Sequence, residues 1–410
     1  MITKHTCSNG VRIVAEHIPF VRSVAIGIWV KAGSRYEETE MKGISHFLEH
    51  MLFKGTTSRT AREIAEAFDA IGGQVNAFTS KEYTCYYAKV LDEKAEYALD
   101  ILSDMFFNSI FDEEELEKEK NVVLEEISMY EDAPDELVLE LLSKASYGEH
   151  PLAYSVLGTK NTLLAIERDD LERYRARFYT PENIVISVAG NFSDSLIRSI
   201  EEKFGSFRSS GETVQWKQAT FCPDKISKNK EIEQSHLCIG FLGLPFGHER
   251  IYELSILNNV IGGSMSSRLF QEIREEKGWA YSVYSYHSAF SDTGLLVIYA
   301  GTAPDQTEIV FDAIMKTVQT LKQEGITRQE LENSKAQLKG NLMLSLESTN
   351  SRMSRNGKNE LLLKKLKSID EILDSIESVT LERVNQLADE LLGAPYSLSM
   401  ISPSKTLLPI

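Results

Sequence analysis

The sequence has few cysteines and no long hydrophobic run. Only 4 of its 410 residues are cysteine, and none of them stands in C-x-x-C spacing. Free thiols in a reducing compartment explain this pattern better than a disulfide framework or a thiolate zinc site. No run of about 18 apolar residues occurs, so we expect no membrane-spanning helix. A strand-like segment follows the N-terminus almost directly, without a signal or transit pattern, and we therefore expect a cytoplasmic protein.

Positive charge is also in deficit. The chain has 44 Lys and Arg against 61 Asp and Glu, a formal net charge of −17. We expect no nucleic-acid partner, because nucleic-acid binding usually needs a basic surface. A negative field can attract basic, extended peptides, although solubility is the plainer explanation of the charge. The length predicts at least two domains.

A five-residue segment, 46–50, matches the pattern H-x-x-E-H, the inverted order of a zinc-peptidase motif. Residues i, i+3 and i+4 share one helix face, so His46 and His50 can bind one Zn²⁺ with Glu49 beside it. Apolar residues at helical spacing around the motif indicate such a helix. A catalytic zinc site has three protein ligands, so another segment must supply one more. The alternative is a pair of ordinary half-buried histidines near a surface glutamate.

We expect the third ligand in the acidic stretch 112–126. Glu119 and Glu126 are seven residues apart, which places them on one face of a helix. Apolar residues between them indicate that this face is partly buried, and a buried carboxylate needs a partner such as a metal ion. The spacing leaves open whether either residue has a functional role. The glutamates at 113–115 indicate a solvated helix start.

The chain contains an internal repeat with an offset of 210 to 215 residues. Four weak matches occur in the same order, which indicates a duplicated domain. The matched pairs are Ile26 with Ile239, Asp92 with Asp305, Leu116 with Leu331, and Leu171 with Leu381. At an offset of 213, the motif residues His46, Glu49 and His50 correspond to Asn259, Gly262 and Gly263. We therefore expect the metal in the first half only.

Each half shows strands, then helices with acidic first turns, then a closing strand over 184–189 or 396–401. This order predicts an α+β fold with two duplicated domains, each a largely antiparallel sheet packed with helices. A segment with serines, a glycine, a proline and several lysines divides the halves. The predicted domains are a zinc-binding catalytic half at 1–207, a linker at 208–231 and a metal-free half at 232–410.

These residues resemble the pitrilysin-type zinc metallopeptidases, the inverzincins. The closest branch contains the β subunit of mitochondrial processing peptidase and its bacterial homologues. The resemblance covers nearly the whole chain, including residues 46–56, 72–80, 119–126, 179–183, 267–270 and 274–281. The long glycine-rich loop of the non-catalytic processing-peptidase partner is missing, which indicates a catalytic subunit.

The resemblance implies a zinc site in the first half. It implies that His46, His50 and Glu126 bind Zn²⁺, that Glu49 is the general base, and that Glu119 supports the site as a further catalytic carboxylate. It also implies two halves that face each other across a cleft.

The resemblance further assigns catalytic roles to Arg274 and Tyr281 of the second half. Tyr281 would donate a hydrogen bond to the oxyanion, and Arg274 would hold Tyr281 or a substrate carbonyl. The alternatives are a surface ion pair for Arg274 and a core aromatic for Tyr281.

The segment 74–80 reads as an edge strand after two glycines that let another backbone approach closely. A peptide can pair with such an edge through its main chain. The substrate-binding residues predicted there are Gln74, Asn76, Ala77 and Phe78.

The expected function is that of a zinc-dependent metalloendopeptidase that cleaves peptides or unfolded segments in the manner of a processing peptidase. Its expected cofactor is Zn²⁺, its expected partner is the peptide substrate, and a homodimer is possible. A non-catalytic structural subunit of a larger complex is the first alternative. A zinc hydrolase for non-peptide amides is the second.

Overall fold

The computed structural model describes residues 2–208 and 216–403. Its strands are β1 (Ile2–Thr6), β2 (Arg12–His17), β3 (Ser23–Val30), β4 (Gln74–Thr79), β5 (Thr84–Leu91), β6 (Ile184–Gly190), β7 (Lys225–Asn229), β8 (Ser235–Leu242), β9 (Ala280–Ala289), β10 (Gly294–Thr302) and β11 (Tyr396–Ser402). Its α-helices are α1 (Ile44–Met51), α2 (Ala61–Ala70), α3 (Ala95–Asn108), α4 (Glu113–Asp132), α5 (Pro134–Tyr147), α6 (Lys160–Ala165), α7 (Arg168–Phe178), α8 (Asp194–Gly205), α9 (Ile251–Ile261), α10 (Thr307–Glu324), α11 (Arg328–Ser345), α12 (Thr349–Leu363), α13 (Ile369–Glu377) and α14 (Leu381–Leu392).

The described residues form two compact units. Unit 1 takes its residues from 1–128, 154–216 and 345–366. Unit 2 takes its residues from 129–153, 217–344 and 367–410. No helix within the described ranges is long and apolar enough to cross a membrane.

Each unit is built on one sheet. The strand order in unit 1 is β1-β2-β6-β3-β5-β4, and in unit 2 it is β7-β11-β8-β10-β9. Residues from Val24 to Val30 of β3 are all buried, which is typical of a strand covered by helices on both faces.

The α+β fold with two largely antiparallel sheets is confirmed, with one correction. Each sheet contains a parallel pair, β2 with β6 in unit 1 and β7 with β11 in unit 2. The reason is that each closing strand enters the sheet interior. Thus β6 runs antiparallel to β3 on one side, and this leaves it parallel to β2 on the other.

The two halves of the sequence exchange a helix. Helix α5 packs on β8 and β11 of unit 2, and α12 packs on β3 and β6 of unit 1. The two contacts are equivalent, because Ser399 Oγ donates to Val138 O at 2.7 Å and Ser187 Oγ donates to Met353 O at 2.8 Å. Val138 and Met353 lie at the repeat offset (353 − 138 = 215).

The predicted domain boundaries differ from the compact units because of this exchange. Residues 129–153 were expected in the first domain and 345–366 in the second, but each segment belongs to the other unit. Part of the predicted linker 208–231 is also structured, since Lys225–Asn229 forms β7 beside β11. Residues 209–215 of that linker lie outside the described part of the chain.

Candidate metal centre

The helix that carries the H-x-x-E-H motif begins at a buried carboxylate. The two side-chain oxygens of Glu37 accept hydrogen bonds from the backbone N–H groups of Gly43 at 2.8 Å and Ser45 at 2.9 Å. These are amide groups that have no partner within the helix, and a negative charge is favourable at this end. Gly43 has a φ of 92°, a conformation that favours glycine. Helix α1 therefore begins at Ile44, two residues before His46.

Three candidate ligand atoms converge at one point. His46 Nε2 and His50 Nε2 are 3.2 Å apart, and Glu126 Oε2 of α4 lies 3.7 Å and 3.8 Å from them. Donors about 2.0–2.1 Å from one tetrahedral Zn²⁺ are separated by roughly 3.3 Å. The three side chains therefore fit a zinc ion. They are also the one such group found among the described residues, with all three ligand atoms within 4.8 Å of one another.

Glu119 orients one of the two imidazoles. Its Oε1 lies 2.7 Å from His50 Nδ1, and its Oε2 lies 2.5 Å from Lys54 Nζ. A carboxylate in this place accepts the Nδ1–H hydrogen bond and leaves the Nε2 lone pair directed at the ligand cluster. The seven-residue spacing of Glu119 and Glu126 thus places one residue behind the ligand and the other within the cluster.

The two histidines have opposite electrostatic environments. Burial, and then the neighbouring His50, lower the pKa of His46 to about 3, so its imidazole is neutral at pH 7. Burial alone would lower the pKa of His50, but the hydrogen bond and charge of Glu119 raise it above its ordinary value. His46 Nδ1 is buried without a hydrogen-bond partner among the described residues. A neutral imidazole with a free Nε2 lone pair is the form that binds a metal.

Glu49 lies beside the ligand cluster and is 8% exposed. Burial raises the pKa of its carboxyl group, and a hydrogen bond from Thr79 opposes that rise. The Thr79 hydroxyl donates to Glu49 Oε2 over 2.5 Å. A largely buried carboxylate with a raised pKa is suited to accept a proton.

The predicted substrate strand is β4, which stands at one end of the strand order of its sheet. Gln74 and Asn76 are exposed, Ala77 is half-buried, and Phe78 is 36% exposed. The Phe78 ring makes an edge contact with Trp29 at 5.6 Å between centroids. The structure therefore places these four residues on an edge strand whose last residue contacts Glu49.

Arg274 and Tyr281 belong to unit 2 and contact each other there. The Arg274 guanidinium carbon lies 5.2 Å from the Tyr281 ring centroid and 4.7 Å from that of Phe270. Tyr281 is 77% exposed and so is not a core aromatic. The nearest carboxylate oxygen in an ion pair with Arg274 is that of Glu275, at 3.9 Å. The cation–π contact supports the predicted pairing of Arg274 with Tyr281.

In unit 2, packed residues that are not metal ligands occupy the positions that correspond to the motif. Asn259 donates to Gln337 Oε1 at 3.1 Å and accepts from Ser334 Oγ at 2.9 Å. A Cβ atom on Gly262 would lie 2.6 Å from Ser285 N, so a larger residue has no room there. Hydrogen bonds and close backbone contact therefore replace metal ligands in unit 2.

Three residues of the centre escaped prediction: Glu37, Lys54 and Thr79. Lys54 could have been found from its positive charge, because it lies four residues after His50 and the expected ligand helix is acidic. Thr79 carried no chemical signal, because a threonine that ends a strand is ordinary. The contact of Thr79 with Glu49 depends on the packing of β4 against α1, and it is visible only in the structure.

The fold and the site can be compared with known proteins. Residues 12–160 match the family model described as Insulinase (Peptidase family M16), and residues 165–338 match the one described as Peptidase M16 inactive domain. A crystal structure of a protease from Helicobacter pylori superposes with a TM-score of 0.92, at 21% identity, over 98% of this chain and 99% of that one. That likeness shows the shared fold.

The proteins related in sequence match this chain over nearly its whole length. It is 62% identical over 404 residues to the protein named Uncharacterized zinc protease YmxG of Bacillus subtilis (strain 168), covering 98% of this chain and 99% of that one. It is 40% identical over 416 residues to an Uncharacterized zinc protease of Mycobacterium leprae (strain TN), covering 100% of this chain and 94% of that one.

The H-x-x-E-H helix, the acidic helix and the duplicated α+β units define the class as a metallopeptidase of the inverted zinc-motif type. The chain belongs to peptidase family M16, the insulinase or pitrilysin-type family. The predicted family is therefore confirmed. The narrower resemblance to the processing-peptidase β subunit stays a prediction.

Proposed function

We propose that this protein is a zinc-dependent endopeptidase that hydrolyses peptides or unfolded segments. The observation that carries the proposal is the convergence of His46, His50 and Glu126 within 4.8 Å, with Glu49 beside them. The relatives that carry the name zinc protease support the metal and the reaction. The family description of residues 165–338 as an inactive domain agrees with the filled second copy of the motif.

The residues of the centre have separate tasks in this reaction. Zn²⁺, when bound by His46, His50 and Glu126, would supply Lewis-acid chemistry and a nucleophile that forms near neutral pH. Glu49 accepts the proton of the attacking water and returns it to the leaving amine. Glu119 holds the His50 ring so that its Nε2 stays directed at the cluster.

The edge strand β4 is the proposed docking site for substrate. An extended peptide would add to it by main-chain hydrogen bonds along Gln74, Asn76, Ala77 and Phe78. Such pairing tolerates many sequences and excludes compact folds, which favours unfolded segments. The net charge of −17 favours substrates that carry basic residues. Arg274 and Tyr281 are the proposed contribution of unit 2, in which Tyr281 stabilises the oxyanion.

The cellular setting is part of the same proposal. All four cysteines are free thiols, three of them buried, which suits a reducing compartment such as the cytoplasm. The possible homodimer stays a prediction that sedimentation of the purified protein checks.

The Glu49→Gln variant tests the proposal. The amide cannot accept a proton, so hydrolysis of fluorescein-labelled unfolded casein should fall by at least about 10²–10³-fold while bound zinc stays at the wild-type level. Glu125→Gln is the matched control, because Glu125 is an exposed carboxylate of α4. Wild-type turnover by Glu49→Gln would contradict the base role. A metal-free wild-type protein that cleaves no unfolded chain would favour the structural-subunit alternative.

A further inference from the structure

Thr79 is in direct contact with the proposed general base. It is the last residue of β4, and its Oγ1 lies 2.5 Å from Glu49 Oε2. The hydroxyl donates this hydrogen bond, because an ionised carboxylate can only accept. Hydrogen bonds to a charged acceptor are shorter and stronger than neutral ones. The contact therefore restrains the side-chain torsions of Glu49 more than packing alone would.

The hydrogens of two neighbouring threonines can be assigned. Thr79 pairs with Thr84 in the register of β4 and β5, and their hydroxyl oxygens are 3.3 Å apart. Thr84 is fully buried and donates its hydroxyl hydrogen to Ala32 O over 3.0 Å. Because that hydrogen is committed, the Thr84 oxygen can only accept. The single hydroxyl hydrogen of Thr79 therefore goes to the closer and charged acceptor, Glu49.

The strand geometry explains why Thr79 points at the base. Side chains of a strand alternate between its faces, so Val75, Ala77 and Thr79 share one face of β4 and Phe78 lies on the other. The face of Thr79 is the one that packs against α1. The main chain of the same strand is the proposed docking edge for substrate. Strand β4 would thus contact the docked peptide through its main chain and Glu49 through the side chain of Thr79.

We infer that Thr79 is a positioning residue that fixes the Glu49 carboxylate relative to the substrate-docking strand β4. This inference rests on the proposed function, since it assigns a partner to the proposed base. The side-chain contacts of Thr79 are with Glu49 and Thr84 and not with His46, His50 or Glu126. Its effect is therefore exerted through Glu49. Loss of the hydroxyl leaves Glu49 free to rotate, and a displacement of about 1 Å can cost about 100-fold in rate.

The test compares Thr79→Val with Thr79→Ser. Valine keeps the shape and the strand preference of threonine but has no hydroxyl, whereas serine keeps the hydroxyl. We expect kcat on unfolded casein to fall by about 10- to 100-fold in Thr79→Val, with KM and zinc content close to wild type. Thr79→Ser should recover most of the wild-type kcat. Thr3→Val is the matched control, because Thr3 lies on β1 at the opposite end of the same sheet and its hydroxyl donates to Ala15 O.

Binding gives a readout that does not depend on turnover. In the Glu49→Gln background, adding Thr79→Val should leave the affinity for labelled casein unchanged, because main-chain docking on β4 does not use the hydroxyl. A loss of casein affinity would show that Thr79 shapes the docking strand instead, and it would overturn the inference.

The outcomes separate this inference from the proposal on which it rests. An active wild-type enzyme with wild-type kcat in Thr79→Val overturns the role of Thr79 and leaves the endopeptidase proposal intact. Equal losses in Thr79→Val and Thr79→Ser, accompanied by a lower unfolding midpoint, would show a structural role and also overturn it. A zinc-loaded wild-type protein that hydrolyses no casein overturns both.

Discussion

At the scale of single residues, the centre depends on a small number of buried polar contacts. Two imidazoles and one carboxylate converge, and each imidazole has a second partner or a buried setting that fixes its protonation. The His50–Glu119–Lys54 chain is the most constrained part, with contacts of 2.7 Å and 2.5 Å. Such outer contacts determine ring orientation and ligand basicity.

Replacement of Glu119 by glutamine should weaken zinc binding by about 10- to 100-fold. The amide keeps the size of the side chain but loses the charge that His50 and Lys54 both contact. Zinc affinity measured by competition with a chromophoric chelator checks this. Glu117→Gln is the control, because Glu117 lies on the same helix with its side chain 69% exposed. An affinity for zinc within about twofold of wild type would contradict the orienting role of Glu119.

His287 of β9 should make unit 2 less stable in mild acid. Burial lowers its pKa to about 4 from an ordinary 6.5, against a hydrogen bond that it donates to Leu244 O. The unfolded chain binds the proton first, so stability is complete above pH 6.5 and is lost as the pH falls from 6.5 towards 4. Between pH 7 and 5 the loss should be about 2 kcal/mol.

Denaturant unfolding of unit 2, followed at pH 7 and pH 5, measures this loss. In His287→Gln the additional acid sensitivity should disappear, whereas it should remain in His5→Gln, in which the replaced residue is exposed. Equal pH dependence in the wild-type and His287→Gln proteins would refute the assignment.

Sequence patterns predicted the ligands because their spacing carries the chemistry. The pair His46 and His50 follows from helical periodicity. The spacing placed Glu119 and Glu126 on one helix face but left their roles open, and only the family resemblance singled out Glu126 as the third ligand. Thr79 could not be predicted, since its role depends on the packing of β4 against α1 and not on any local pattern. Glu37 was missed for a similar reason: a carboxylate six residues before Gly43 is outside the usual reach of a helix cap.

At the scale of secondary-structure elements, the exchanged helices α5 and α12 are the feature that local patterns could not show. Each helix has an ordinary amphipathic sequence, and nothing in it specifies which sheet it covers. The hydrogen bonds of Ser399 with Val138 and of Ser187 with Met353 are equivalent, so the two sheets have equivalent packing sites for a helix. Connectivity alone favours the nearer sheet, and for this reason the predicted boundaries were wrong in these segments.

Helix α12 should contribute strongly to the stability of unit 1. Met353 is fully buried, and its sulfur accepts a hydrogen bond from Trp29 Nε1 at 3.4 Å. Met353→Ala should lower the free energy of unfolding by about 2–5 kcal/mol, because it leaves a cavity beside the indole. Tryptophan fluorescence during urea unfolding follows the change. Met343→Ala, at a site 46% exposed, should change it by less than about 0.5 kcal/mol. Similar effects of the two variants would contradict the packing role of α12.

At the scale of the whole molecule, the exchange makes the two sequence halves interdependent. Residues 1–207 lack α12, which covers β3 and β6 in the described chain. The duplication explains the shared framework. Because Asn259, Gly262 and Gly263 stand at the positions that correspond to the motif, the described residues contain one candidate metal centre for two units. We therefore expect the two sequence halves to fold together and not as separable domains.

A chain of residues 1–207 should not fold stably when it is expressed without the rest. The face that includes Trp29 and Val185 would be exposed, and an apolar patch of this kind favours aggregation and dye binding. Addition of a peptide that spans 345–366 should restore structure, as judged by Trp29 fluorescence and loss of dye binding. A cooperative, fully stable 1–207 chain without that peptide would refute the interdependence.

X-ray absorption at the zinc edge of the loaded protein tests the central claim most directly. The account predicts one zinc per chain with two imidazole nitrogens and carboxylate oxygen at about 2.0–2.2 Å, and no sulfur. Stoichiometric zinc should be lost in His46→Ala and His50→Ala. A sulfur neighbour at about 2.3 Å, or full zinc binding without either imidazole, would contradict it.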